Sequence, residues 1–193
     1  ICVAAIAGCI LALYRIMNMP YHIGVDIGGT KTEIILIEDC DRVHHRKRIP
    51  TPQQAGYDAI LNAVQGLISE CVDLLPPSAP YTIGIGIPGA IDPLKRIVYK
   101  APNTACLIGK PFQTDMEDRL GRPIKVENDA NCFTLAESLQ GAAKGYHFVF
   151  GIIMGTGCGG GICINGNIRQ GLHGMAGEWG HLSVDPLGAT CYC

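Results

Sequence analysis

The chain has 193 residues, of which 48% are hydrophobic and 17% charged, and its formal net charge is −2. This length can bury a real core as one large domain or two small ones. The near-neutral balance excludes a basic face for nucleic acid and an acidic tail, which leaves a small molecule as the default partner.

Residues 1–19 form an apolar leader that stays apolar until Arg15, with Met17 and Met19 just ahead of the first strand. It is too short to span a bilayer and has no basic region or small-x-small cleavage signal, so no membrane partner is expected. We expect it to lie outside the fold, as upstream sequence ahead of a start at Met17 or Met19. Strands are expected near 22–27, 33–38 and 42–49, with a turn at Asp39-Cys40-Asp41, until Pro50-Thr51-Pro52 ends the run. Apolar residues from Tyr57 to Leu75 recur at helical spacing and stop at Pro76-Pro77, and a buried strand, Tyr81–Ile87, then ends in Pro88-Gly89. The order βββαβ is the core of a ribonuclease H-like ATPase lobe. Residues 90–111 read as a loop-rich excursion with one short strand at Arg96–Tyr99, followed by a helix over Phe112–Leu120 that Gly121-Arg122-Pro123 breaks. A lobe boundary is expected near 120, giving a first lobe over 20–120 and the start of a second over 121–193. Strand 124–127 runs into Asn128-Asp129 and a helix that reaches Gly141, and a strand over His147–Met154 follows. The 10 cysteines fall mostly inside apolar stretches rather than at framework spacings, as expected of reduced thiols in a cytoplasmic protein.

Three segments carry chemistry. Ile23-Gly-Val-Asp-Ile-Gly-Gly-Thr-Lys31 runs a strand through Asp26 into a two-glycine turn. With no Cβ at Gly28 and Gly29, backbone N–H groups can approach an anion. Asp26 is then placed to hold a hydrated Mg²⁺ and Thr30 to offer a hydroxyl to phosphate, although a plain hairpin turn accounts for the same glycines. A second cluster, Gly155-Thr156-Gly157-Cys158-Gly159-Gly160-Gly161, turns the chain back into Ile162-Cys163-Ile164. Its G-x-G-x-x-G letters open no helix, so a dinucleotide site is rejected, and no Walker A is present. Paired strand–glycine–strand turns that clamp a polyphosphate belong to the actin, hexokinase and heat-shock ATPase architecture.

Asp129, between a strand and a helix, faces unpaired N–H groups and is expected to stay ionised. It can orient and deprotonate an alcohol that attacks a γ-phosphate, or it can be an N-cap together with Asn128. Gly177-Glu-Trp-Gly-His181 offers Glu178 and His181 to sugar hydroxyls, or is an exposed turn. His181 with Cys191-Tyr192-Cys193 supplies three of the four ligands that a structural zinc needs, as though a site were cut short.

With these motifs the chain resembles the ROK family of sugar kinases and repressors from about Tyr21 to Cys193. The shared fingerprints are Asp26-Ile-Gly-Gly-Thr-Lys31, Gly84-Ile-Gly-Ile-Pro-Gly89, Glu127-Asn-Asp-Ala-Asn131, Gly155-Thr-Gly-Cys-Gly159, Gly177-Glu-Trp-Gly-His181 and the opening of a Cys-x-Cys-Gly-x-x-Gly-Cys zinc motif. The resemblance implies an α/β, actin-like ATPase fold with two lobes, the second incomplete, and a homodimer at full length. It implies Asp129 as the catalytic base. Gly89, Asn103, Asn128, Glu178 and His181 fall at sugar-contacting positions. Asp26, Gly28, Gly29, Thr30, Lys31, Gly155, Thr156 and Gly157 would hold Mg-ATP, and His181, Cys191 and Cys193 match zinc ligands. The final zinc cysteine, the sugar-binding glutamate after it, the adenosine-binding glycines and the C-terminal helix of the family are missing. The implied reaction is transfer of phosphate from ATP to the 6-hydroxyl of a hexose. Gly-Glu-Trp-Gly-His and Cys-Tyr-Cys look most like the bacterial fructokinase (manno/fructokinase) branch, with N-acetylglucosamine kinase or glucokinase as the alternative. A sugar-sensing repressor of the family is the non-enzymatic alternative, but only about 20 residues precede the core, too few for a helix-turn-helix domain.

Overall fold

The computed structural model describes residues 20–39, 42–155, 157–183 and 185–190. The leader expected at 1–19, Cys40 and Asp41 of the first turn, Thr156, and the expected zinc ligands Cys191 and Cys193 lie outside the described residues.

β-branched residues alternate along the first strand and crowd the second, while the third is rich in Arg, Lys and His. β1 (Tyr21–Ile27), β2 (Lys31–Glu38) and β3 (Arg42–Pro50) pair antiparallel in that order. Helix α1 (Tyr57–Asp73) then carries the chain over to β4 (Tyr81–Ile87), which runs parallel to β1. In the excursion that follows, β5 (Ala90–Ile91) pairs with β6 (Val98–Tyr99). The strand expected at Arg96–Tyr99 is therefore shorter. Asp92 accepts backbone N–H groups from Leu94 and Lys95, and Arg96 closes the turn at φ 55°, which a strand residue does not adopt. Helix α2 (Phe112–Leu120) ends on Gly121 in the left-handed conformation. β7 (Lys125–Asn128) comes after the boundary expected near 120, yet it pairs parallel with β4. The first sheet thus has the order β3-β2-β1-β4-β7, the mixed arrangement expected of a ribonuclease H-like lobe.

The two faces of this sheet differ in chemistry. Ile23, Val25 and Ile27 of β1 and Ile83, Ile85 and Ile87 of β4 point to one face, where Ile60, Leu61, Val64 and Ile68 of α1 cover them. The opposite face carries the intervening residues. There Asp26 pairs with Glu33 of β2 on one side and with Gly86 of β4 on the other, Glu33 pairs with Arg48, and Gly86 pairs with Glu127. One lateral row, Arg48, Glu33, Asp26, Gly86 and Glu127, therefore shares a level on the face away from α1.

Helix α3 (Asp129–Leu139) leads into a second sheet of β8 (Phe148–Met154), β9 (Cys158–Ile164) and β10 (Asn167–Ile168), in the order β10-β9-β8. Asn165 and Gly166, at φ 52° and 71°, make the two-residue turn between β9 and β10. α3 covers one face of this sheet with Cys132 and Leu135, against Val149 and Cys163. Among the described residues no helix is long and apolar enough to cross a membrane.

Candidate active site

A cleft of about 1070 Å³ opens between the two sheets. The β1–β2 turn lines it from one side and the β8–β9 turn from the other.

On the first side, Gly28 donates its N–H to the Lys31 carbonyl at 2.8 Å and closes the turn, while Thr30 and Lys31 are exposed at its tip. Gly29 is required by close approach, because a Cβ there would lie 2.7 Å from the Asn103 carbonyl. That contact sets the β1–β2 turn directly against Asn103, which stands in a short 3-10 segment, Pro102–Leu107. Gln53 donates to the Gly29 carbonyl at 2.6 Å, and Thr51 to that of Gly28 at 2.7 Å. On the second side, Gly155 and Gly157 have open space around them, and a 2.8 Å bond from the Gly155 N–H to the Gly157 carbonyl shapes the turn. The rest of that glycine run does other work. A Cβ on Gly160 would meet the Gly177 carbonyl at 2.6 Å, and one on Gly161 would meet Thr134 and Asn131 of α3 at 2.7 and 2.8 Å. Gly160 and Gly161 therefore admit neighbouring backbone and side chains, a packing role separate from the one expected of Gly155, Thr156 and Gly157. Trp179 donates from Nε1 to the Gly159 carbonyl at 3.0 Å, fixing the loop that carries Glu178 and His181.

Asn128 is the N-cap of α3: its Oδ1 accepts the Asn131 N–H at 3.0 Å, and its Nδ2 donates to the Gly89 carbonyl at 3.0 Å and to Asp129 at 3.1 Å. Asp129 is the first residue of the helix, and its Oδ1 accepts the Ala130 N–H at 2.9 Å. The expectation that it stays firmly ionised is corrected here. Burial, and after it the nearby Asp26 carboxylate, push its pKa up to about 7, more than the helix N–H groups lower it. Burial likewise raises Asp26 to about 6, with Glu33 adding to the effect. Glu178 is also raised, again by burial, which His181 opposes.

Sequence reasoning missed Glu33 and Arg48. Both line the cleft beside Asp26. Against the cost of burial, hydrogen bonds from Arg46 at 2.5 Å and Arg48 at 2.5 and 2.9 Å hold the Glu33 carboxyl below its usual value. The basic run Arg46-Lys47-Arg48 was the available signal, but only the β2–β3 register shows which of these side chains turn toward Glu33.

The donor set at the cleft floor suits a divalent cation. The Asp26 carboxylate lies close enough to Asp129 to raise its affinity for protons, and a hydrated Mg²⁺ beside Asp26 would relieve that repulsion. Zinc is different. Among the described residues no group of three His, Cys, Asp or Glu side chains is placed to hold a metal, and only His181 of the expected set is described. Every other expected site residue that is described, namely Asp26, Gly28, Gly29, Thr30, Lys31, Gly89, Asn103, Asn128, Asp129, Gly155, Gly157, Glu178 and His181, lines this one cleft.

Comparison with known proteins agrees in family and fold. The ROK family model matches residues 22–193. An N-acetyl-D-glucosamine kinase from Citrobacter koseri is 39% identical over 168 residues, covering 86% of this chain and 54% of its own length. The crystal structure of a ROK glucokinase from Streptomyces griseus, in complex with glucose and AMPPNP, superposes with a TM-score of 0.74 at 34% identity, over 86% of this chain and 51% of that one. A ROK transcriptional regulator, a homologue of the E. coli MLC protein, gives 0.75 at 26% identity, over 90% of this chain and 44% of that one. The chain spans about half the length of the curated relatives it matches.

Proposed function

Because this chain belongs to the ROK family, we propose that it carries the reaction centre of an ATP-dependent hexose kinase, with N-acetylglucosamine as the favoured acceptor. The observation that carries the reading is Asp129 on the floor of a cleft into which glycine turns from two sheets open. In this reading the sugar's 6-hydroxyl attacks the γ-phosphorus, the bond to the β,γ-bridging oxygen breaks, and the hydroxyl proton passes to the Asp129 carboxylate. With its pKa near 7, Asp129 can take and release that proton at neutral pH. In a loose transition state its larger contribution is to aim the hydroxyl. Asn128, bonded to both Asp129 and the Gly89 carbonyl, fixes the carboxylate's neighbours. Glu178, His181 and Asn103 would contact the sugar, and Gly28, Gly29, Thr30, Lys31, Gly155, Thr156 and Gly157 the phosphates. Mg²⁺ held beside Asp26 would neutralise charge on the phosphate oxygens.

The choice of sugar changes from the sequence reading. The curated relatives reported in the comparison act on N-acetylglucosamine, and the glucokinase neighbour holds glucose, so the fructose expectation gives way to its alternative. The single test is sugar-dependent ADP release by the longest natural form of the protein, with N-acetylglucosamine, glucose and fructose compared. Release with the first sugar, and its loss by about 10²-fold or more in Asp129→Asn, supports the reading. Sugar binding without release would favour the second reading, a sugar sensor, which the regulator neighbour motivates. A zinc held by His181, Cys191 and Cys193, a homodimer and a cytoplasmic location complete the proposal. They rest on the sequence pattern, and elemental analysis after chelator dialysis tests the zinc.

A further inference from the structure

We propose that Glu127 is a positioning residue that ties the start of α3 to the sugar-side loop through a hydrogen bond to Gln170. The proposal rests on the hexose-kinase reading above.

Glu127 lies at the end of β7 in the first sheet, and both of its carboxylate oxygens accept hydrogen bonds. Oε1 accepts the Asn128 N–H at 2.9 Å and Asn131 Nδ2 at 3.0 Å, and Oε2 accepts Gln170 Nε2 at 2.7 Å. The first two donors bracket Asp129. The third comes from the far side of the cleft, where Gln170 stands in the loop just past β10 of the second sheet. There Gln170 also opens the loop that carries Glu178: its carbonyl accepts the Ala176 N–H at 3.0 Å, and Glu178 N–H then bonds the Met175 carbonyl at 3.2 Å. One carboxylate thus joins the residues flanking the proposed base to the first residue of the loop bearing the proposed sugar contacts. The Tyr99 hydroxyl donates to the His173 carbonyl, and a Cβ on Gly174 would lie 3.1 Å from the Ile91 carbonyl, so the same loop also rests on the β5–β6 hairpin. Among these contacts, that of Gln170 reaches the start of α3.

Gln170 is exposed and water replaces its partner when the bond to Glu127 breaks, so substitution there changes global stability little. What remains is geometry. Acceptor hydroxyl and base must meet within a fraction of an ångström, and a bond that spans the two sheets sets their separation.

The test uses the longest natural form of the protein. Gln170→Glu sets two carboxylates against each other and should raise KM for the sugar about three- to tenfold, leaving KM for ATP and the melting temperature nearly unchanged. The reversed pair, Glu127→Gln with Gln170→Glu, restores one donor facing one acceptor and should return KM for the sugar to within about twofold of wild type. An unchanged KM in Gln170→Glu, failure of the double variant to recover, or a parallel loss in both substrates and in melting temperature each overturns the tie. If the wild type releases no ADP with any sugar, the kinase reading fails and amide hydrogen exchange over 171–182 decides the tie separately. Faster exchange in Gln170→Glu, restored in the double variant, sustains it, and identical exchange in all three proteins overturns it.

Discussion

The two sheets hold themselves together by different means. In the first, large aliphatic side chains from β1, β2 and β4 meet α1 in a continuous core that also takes in Phe112 and Met116 of α2. In the second, a small cluster of Cys132, Leu135, Val149 and Cys163 is supplemented by backbone approach: Gly151 and Gly161 let both strands sit against Thr134 and Asn131 of α3. On its far face the Gly177–Trp179 loop packs over Gly160 of β9, while Phe148, Phe150, Ile152 and Met154 alternate along β8 at 43–77% exposure. The difference teaches where each kind of substitution hurts. The first sheet depends on volume removed from water, and the second on atoms that are not there.

The largest expected effect comes from the first core. Ile85→Ala removes a buried side chain between β4 and α1 and should cost about 2–5 kcal/mol in denaturant unfolding. A loss no greater than that of a surface substitution would remove the contrast between the sheets.

Next is the cleft between the sheets, through its carboxylates. The folded pKa values of Asp26 and Asp129, about 6 and about 7, lie above the usual 3.8. Folding therefore favours their protonated forms. The associated stability is fully present below about pH 4 and is lost as pH rises through 6 to 7, on the order of a few kcal/mol in total. Melting of the ligand-free, Mg²⁺-free protein should fall over that interval, and Asp129→Asn should flatten the fall while abolishing turnover. A melting temperature that climbs from pH 5 to 8 would refute this sign.

A smaller effect belongs to the second sheet. Gly161→Ala should cost about 1–3 kcal/mol by overpacking, because its Cβ would sit 2.8 Å from Asn131 Oδ1 and 3.0 Å from the Ala130 carbonyl. Hydrogen exchange should localise the loosening to α3, β8 and β9, and uniform loosening of both sheets would blur the distinction drawn here. The smallest effect is expected from Phe150→Ser on the far face, within about 0.5 kcal/mol for stability. Self-association seen by sedimentation should decrease, since β8 is both apolar and the edge of its sheet.

Much of the first sheet was legible because alternation and β-branching report directly on strands, and glycine pairs report on turns. It was the family resemblance of the motifs, not these local patterns, that grouped the cleft residues although Asp26 and Asp129 stand 103 positions apart in the sequence. Three things were not legible. The Glu33 clasp depends on register across β2 and β3, which no single strand's pattern encodes. The raised pKa of Asp129 depends on burial and on Asp26, whereas local sequence shows only the helix start that would lower it. The role of Gly160 and Gly161 depends on what packs over them, and a glycine's letter is the same whether it faces phosphate or Trp179.

The contact between Gly29 and Asn103 leaves no slack at the centre of the cleft. With the Asn103 carbonyl filling the place a Cβ would take, the β1–β2 turn cannot shift toward the 3-10 segment without pushing it, nor can the segment swing inward on its own. The two ends of the cleft are thereby geared. On the kinase reading proposed above, a nucleotide settled at the β1–β2 turn would limit the conformations open to the Asn103 segment, a loss of freedom that precedes any bond made or broken.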